Sequence, residues 1–291
     1  MTSASVTTLD VPPIVDAPPA RPRVAPGSAH SWLRNVRTLT RRNFLHVMRE
    51  PAQMSDATIQ PVLFTVLFVY IFGSAMHIAG GSYVDFAVGG LVVMNLTTAS
   101  MGTAVGLSSD LKTGVIDRFR TLPMARSTIL FGRTTADLLA SVLCGTIVLV
   151  TGLVVGWRPG NGLVGTVAGL AVASAFAYAL SWFTACVGLR SSDPESAQAV
   201  GLLILFPLAF VSSCFVPTGG MPTWLRTIAD WNPVSAVAGA CRELFGNPNP
   251  MSGVHNFPNQ HPVVMSIGWT VLILAVCVPL ASRLLRRRTV D

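Results

Sequence analysis

Lys112 is the only lysine in the 291-residue chain, and a nucleotide-hydrolysing phosphate loop needs one. The residues before it, Ser108-Ser109-Asp110-Leu111, lack the glycines that let backbone amides cradle phosphate, so this chain has no phosphate loop of its own. Neither HExxH nor GxSxG occurs, and no grouping of cysteine, histidine and aspartate suggests a membrane enzyme. His255 and His261 stand without further ligand-type neighbours, which argues against a metal site. The cysteines (Cys144, Cys186, Cys214, Cys241, Cys277) are single, and most lie in apolar runs, where small apolar filler is their ordinary role. What remains is charge in an apolar setting. Asp137 follows Arg133 by four residues, which puts both on one helix face. A carboxylate at the centre of a membrane span costs about 2.5–3.5 kcal/mol and is a functional candidate. Two uses stay open, a proton relay and a structural ion pair at the edge of a span. The ion pair is the expectation, because a proton-coupled carrier would want more buried carboxylates than this sequence offers.

Residues 108–126 raise a second question. Val115, Ile116, Phe119 and Leu122 recur at the spacing of one helix face, with Asp117, Arg118 and Arg120 between them. The spacing predicts a short amphipathic helix ended by Pro123, lying between two long apolar runs. Such a helix needs a surface to dock against.

The surrounding chain is built for lipid. It is 51% hydrophobic and 11% charged, with a mean hydropathy of +0.57, whereas soluble domains carry about a quarter charged residues. The fold class expected is an all-α integral membrane protein. Residues 1–30, with six prolines and no periodicity, read as a disordered tail without the apolar core of a signal peptide, and 31–291 as one membrane domain. Residues 31–50, capped by Ser31 and stopped by Pro51, predict an amphipathic helix. Trp32, Leu33, Val36, Leu39 and Phe44 form its apolar stripe, and Arg34, Arg37, Arg41 and Arg42 gather opposite, suited to anionic headgroups. Six spans follow, near 58–78, 85–107, 128–156, 163–189, 197–216 and 263–283. With both termini in the cytoplasm, 17 Lys and Arg lie inside and only Arg158, Arg226 and Arg242 outside, the distribution that membrane topology demands. The net charge of +7 is thus topological, and nucleic acid is not an expected partner.

Between the last two spans, Pro222 opens a short helix with Trp224, Leu225 and Ile228 on one side. Asn232-Pro233 supplies an N-cap and first-turn proline for a second helix, with Val234, Val237, Ala238, Cys241, Leu244 and Phe245 at helical spacing and Gly246 as its stop. Two helices too short to span predict an extracellular re-entrant or interfacial hairpin that includes Met221, Pro222, Trp224, Asn232 and Pro233.

Several stretches then match a known family in order. Arg42-Asn43-Phe44, Arg49-Glu50-Pro51 and Thr58-Ile59-Gln60-Pro61-Val62-Leu63-Phe64 resemble the approach to the first span of ABC-2-type permeases. Asp117-Arg118-Phe119-Arg120-Thr121-Leu122-Pro123-Met124-Ala125-Arg126 is similar to the intracellular loop of the daunorubicin-resistance subgroup, although Ser109-Asp110-Leu111-Lys112 departs from its usual Glu/Arg-rich approach. Asp193-Pro194-Glu195, Leu205-Phe206-Pro207-Leu208, Phe215-Val216-Pro217-Thr218-Gly219-Gly220-Met221-Pro222 and Asn232-Pro233-Val234 continue the match. The resemblance implies a half-transporter in which two permease copies pair and each binds a separate ATPase subunit that holds ATP and magnesium. It implies that the first intracellular loop is a coupling helix seated in an ATPase groove, with Val115, Ile116, Phe119 and Leu122 buried and Arg118 and Arg120 at the rim. The helix at 31–50 would be the interfacial connecting helix, in contact with lipid and ATPase. The function expected is export of a drug or lipid across a bacterial plasma membrane, against the alternatives of a proton-coupled carrier using Asp137 and a non-transporting scaffold.

Overall fold

Pro51 ends one helix and opens the next, because a proline tolerates the first turn of a helix but breaks the one it interrupts. The structure, a computed structural model, describes residues 29–49, 51–76, 78, 81–115, 127–251 and 256–288. Helix α1 (Ala29–Arg49) begins two residues before the expected cap Ser31, and α2 (Pro51–Ala75) begins seven before the expected span. Residues 1–28 of the expected tail lie outside the described residues.

The second apolar run is two helices, α3 (Tyr83–Ala99) and α4 (Met101–Lys112), broken at Ser100. The Ser100 hydroxyl donates to the Thr97 carbonyl at 2.6 Å. Its own carbonyl accepts from the Thr103 N–H at 3.2 Å and from the Thr184 hydroxyl at 2.8 Å. The turn there tightens to an i→i+3 bond. Ser108–Lys112, expected to open the loop, are instead the last turn of α4, which stops at Thr113 and at Gly114, whose φ of 67° suits glycine.

Helices α5 (Ser127–Val155) and α6 (Gly162–Arg190) fall within a residue of their expected bounds. Helix α7 (Pro194–Phe210) does not: it starts three residues early and ends six short of 216. Its early start comes from Asp193, whose carboxylate accepts from the Ser196 N–H and the Ser192 hydroxyl, both at 2.8 Å. Those bonds hold the Asp193 carboxyl below the usual carboxylate range. A single turn of 3-10 helix at Thr218–Gly220 follows α7, then α8 (Thr223–Trp231), α9 (Pro233–Phe245), the short α10 (Phe257–Gln260) and α11 (Pro262–Arg288).

Among the described residues five stretches are long and apolar enough to cross a membrane: Thr58–Ala75, Tyr83–Lys112, Ser127–Val155, Gly162–Arg190 and Pro262–Arg287. The 17-residue α7 is about 25 Å long, short of the roughly 30 Å hydrocarbon layer. Helix α6 is the hub, packed against α11, α4, α9, α5 and α3. One buried cluster, with Phe86, Leu91, Val148, Phe176 and Phe245, joins α3, α5, α6 and α9. A second, with Leu107, Leu130, Trp182, Leu189 and Leu285, joins α4, α5, α6 and α11. The outer faces stay apolar, with Leu63, Ile71, Leu203 and Val271 exposed, an arrangement that suits lipid rather than water.

Candidate functional site

Two places concentrate polar chemistry. The first lies between the end of α4 and the beginning of α5. Arg133 Nε stands 3.3 Å from Asp137 Oδ2, the pairing that the i, i+4 spacing allows. The same oxygen accepts from the Thr103 hydroxyl at 2.5 Å, and Arg133 Nη2 donates to the Gly102 carbonyl at 2.8 Å. A β-carbon on Gly106 would overlap the Arg133 guanidinium, so the glycine is what admits it. Because α5 begins at Ser127, Asp137 lies ten residues in, about 15 Å along the helix, rather than at its first turn. The carboxylate is buried, and its charge is met by one guanidinium and one hydroxyl.

Helix α1 lies against the same start of α5. Trp32 meets Phe131 edge-on, with ring centroids 5.4 Å apart, and the Thr40 hydroxyl donates to the Gly132 carbonyl at 3.3 Å. Leu39 and Thr40 are buried. Arg34, Arg37, Arg41 and Arg42 are exposed, and so is Leu33, which the sequence assigned to the apolar stripe. Of the expected loop helix only Val115 is described, half-buried where helical backbone resumes. Ile116, Asp117, Arg118, Phe119, Arg120 and Leu122 lie outside the described residues.

The second place is the segment that follows α7. Pro207 inside α7 removes one N–H, and beyond Phe210 the chain leaves the helix while still buried, so every backbone carbonyl needs another donor. Asn232 supplies two: its amide donates to Leu208 O at 2.7 Å and Val211 O at 2.6 Å, while its Oδ1 caps α9 by accepting from the Val234 N–H. Arg242 supplies the next two, Nη2 donating to Ser213 O at 2.7 Å and Cys214 O at 3.1 Å. Tyr83 donates its hydroxyl to Phe215 O at 3.2 Å. The Ser213 N–H is taken by the Ser235 hydroxyl and the Cys214 N–H by that of Ser212. Irregular buried backbone is tolerated only where it is satisfied in this way.

Arg242 is fully buried. Its Nε donates to Phe86 O at 2.9 Å, and its guanidinium carbon sits 3.8 Å from the centre of the Phe86 ring. Gly90 of α3 makes the room, since a β-carbon there would overlap the Cys214 carbonyl. Sequence reasoning counted Arg242 only as an outer charge. A signal was present: Ser235, Ala236, Gly239 and Ala240 leave α9 without a polar face on which an arginine could stay wet.

The expected hairpin residues divide. Asn232 is the buried cap, Pro233 the half-buried first residue of α9, and Met221 half-buried. Pro222 and Trp224 are exposed, as are Ile228 and Trp231, while α8 buries Ala229 and Asp230. The apolar side that carries Trp224 and Ile228 faces outward. The inner side is fixed instead by Asp230, which accepts from the Thr218 hydroxyl at 3.0 Å and the Asn256 amide at 2.8 Å. Replacing Asn232 with alanine should cost about 2–4 kcal/mol, from a lost cap and two stranded buried carbonyls. A thermal unfolding midpoint in detergent equal to that of the unaltered chain would contradict that role.

Apolar rods around buried polar fasteners define a multi-pass helical membrane protein. Residues 34–245 match the ABC-2 type transporter family, and the chain belongs to that family of transport membrane subunits. It is 34% identical over 239 residues to a daunorubicin resistance ABC transporter permease protein, DrrB1, of Streptomyces coeruleorubidus, which covers 82% of this chain and 81% of the relative. It is 25% identical over 257 residues to a probable doxorubicin resistance permease, DrrC, of Mycobacterium tuberculosis, with 87% of each covered. A putative transport permease, ycf38, of Porphyra purpurea is 26% identical over 232 residues, covering 75% of this chain and 76% of the relative.

Proposed function

We propose that the chain is the permease subunit of an ATP-driven exporter that moves a hydrophobic or amphipathic compound, a drug or lipid, outward across a bacterial plasma membrane. The observation that carries this reading is the 34% identity, over most of both chains, to a permease named for daunorubicin resistance. In this reading α7 counts as a sixth span, both termini are cytoplasmic, and α8 with α9 is the extracellular re-entrant hairpin. Two copies pair. Each engages a separate ATPase, which holds the ATP and magnesium, through the amphipathic stretch from Val115 to Leu122. The exposed arginines of α1 meet anionic headgroups or the ATPase. The Arg133–Asp137 pair is structural, a reading supported by the two partners already on the Asp137 carboxylate.

The test is uptake of daunorubicin into inverted membrane vesicles holding this chain with its phosphate-loop ATPase. Uptake should require ATP and vanish when the lysine of the ATPase phosphate loop is replaced. Uptake that follows a proton gradient, ignores the ATPase and disappears in Asp137→Asn would favour a carrier instead. Absence of any uptake would favour a scaffold.

A further inference from the structure

We infer that Arg133, Asp137, Thr103 and the notch at Gly106 form a positioning latch that makes α4 and α5, the two roots on either side of residues 113–126, move as one body. The inference concerns transmission, and its value for transport rests on the proposed function above.

Apart from the buried apolar cluster they share with α6 and α11, little joins the two roots directly. Helix α4 is set off from α3 by the break at Ser100. It packs far more against α6 and α7 than against α5. The polar contacts between α4 and α5 are Thr103 to Asp137, Arg133 to Gly102, and the guanidinium seated over Gly106. These contacts join residues 31 and 34 positions apart, on either side of the loop. Both hydrogen bonds are charge-assisted, and the carboxylate is buried, so they hold more firmly than a surface pair would.

On its other sides α4 is already bound to the parts that must move. The Ala104 backbone lies against Gly188 of α6, Met101 against Gly201 of α7, and the Thr184 hydroxyl holds the Ser100 carbonyl. With the latch closed, a displacement of the loop reaches α6 and α7 through α4. With it open, the same displacement is absorbed by the roots splaying apart. Neither Arg133 nor Asp137 has to touch the transported compound, so both are positioning residues.

Gly106→Ala gives the discriminating test. It keeps both charges and raises helix propensity, yet its new methyl group occupies the guanidinium seat. The full chain in nanodiscs would carry spin labels at Thr113→Cys and Leu139→Cys, both exposed positions, while the native cysteines are buried. The unaltered pair should give one narrow distance. Gly106→Ala, Arg133→Ala and Asp137→Asn should each broaden it or add a second population, whatever the change in thermal midpoint. Narrow distributions in all three variants would overturn the latch, since a merely stabilising contact predicts a change in midpoint and none in distance.

A second measurement adds the ATPase. Labels at Leu203→Cys, exposed on α7, should shift between the nucleotide-free and vanadate-trapped complexes. The latch variants should retain the ATPase but shift about fivefold less of their population. If even the unaltered complex shows no shift, the exporter reading fails, while the distance between the roots still decides the latch.

Discussion

Replacing Arg242 with methionine should open Cys214 to thiol reagents in native membranes. In the intact chain Cys214 is fully buried, and its carbonyl is held by Arg242. Methionine fills similar volume but donates nothing, leaving the carbonyls of Phe86, Ser213 and Cys214 short of a donor. Each buried acceptor left unpaired costs about 1–3 kcal/mol, and the contact with the Phe86 ring is lost as well. A loss of several kcal/mol at one short segment should detach residues 211–216 locally while the long spans stay inserted. Maleimide labelling should rise at Cys214 and stay low at Cys144, which lies on α5 away from the site. Gly90→Ala should reproduce the effect from the opposite wall, because its β-carbon collides with the Cys214 carbonyl. Cys214 remaining protected in both variants would remove Arg242 from its role as fastener.

The second large effect is expected at Phe119. In the proposed reading its ring is the central anchor of the coupling helix. Burial of a phenylalanine contributes about 1.5–3 kcal/mol, and each 1.4 kcal/mol is tenfold in affinity. Phe119→Asp forfeits that burial and adds the cost of desolvating a carboxylate. The ATPase should then be lost during co-purification while the permease still inserts and dimerises. Arg118→Ala and Arg120→Ala, at the rim, should weaken capture far less, because exposed charge pairs are worth about 0–1 kcal/mol. Undiminished capture by Phe119→Asp would show that the stretch docks elsewhere.

What could be read in the chain was what local rules decide. The Arg133–Asp137 spacing, the Asn232-Pro233 start of α9 and its end at Gly246 depend on neighbours within a turn, and the structure places them as the spacing requires. The long apolar runs announced themselves by composition. Features that depend on distant partners did not. Helix α7 stops at Phe210 because Asn232 and Arg242, more than twenty residues later, receive the carbonyls that follow. Ser108–Lys112 stays helical, although its polarity suggested a loop, because Leu107 and Ser108 are buried at the foot of the bundle. Trp224 and Ile228 keep helical spacing, but periodicity identifies a face without saying what it meets. Asp230, on the opposite side, took the inner position through Thr218 and Asn256.

If α9 is re-entrant, as proposed, the Arg242 fastener also imposes an order on biosynthesis. Its acceptors are Phe86, 156 residues upstream, and Ser213 and Cys214, which leave the ribosome some 28 residues ahead of it. An unpartnered arginine entering the hydrocarbon layer would cost about 2.5–3.5 kcal/mol on insertion scales. Made in the natural direction, α9 emerges when α3 and the end of α7 already exist, so its charge has a seat waiting. A rearranged gene that delivered α9 before α3 would present the same side chains with the arginine stranded. The N-to-C order of this chain is therefore part of how its one fully buried cation among the described residues reaches its place.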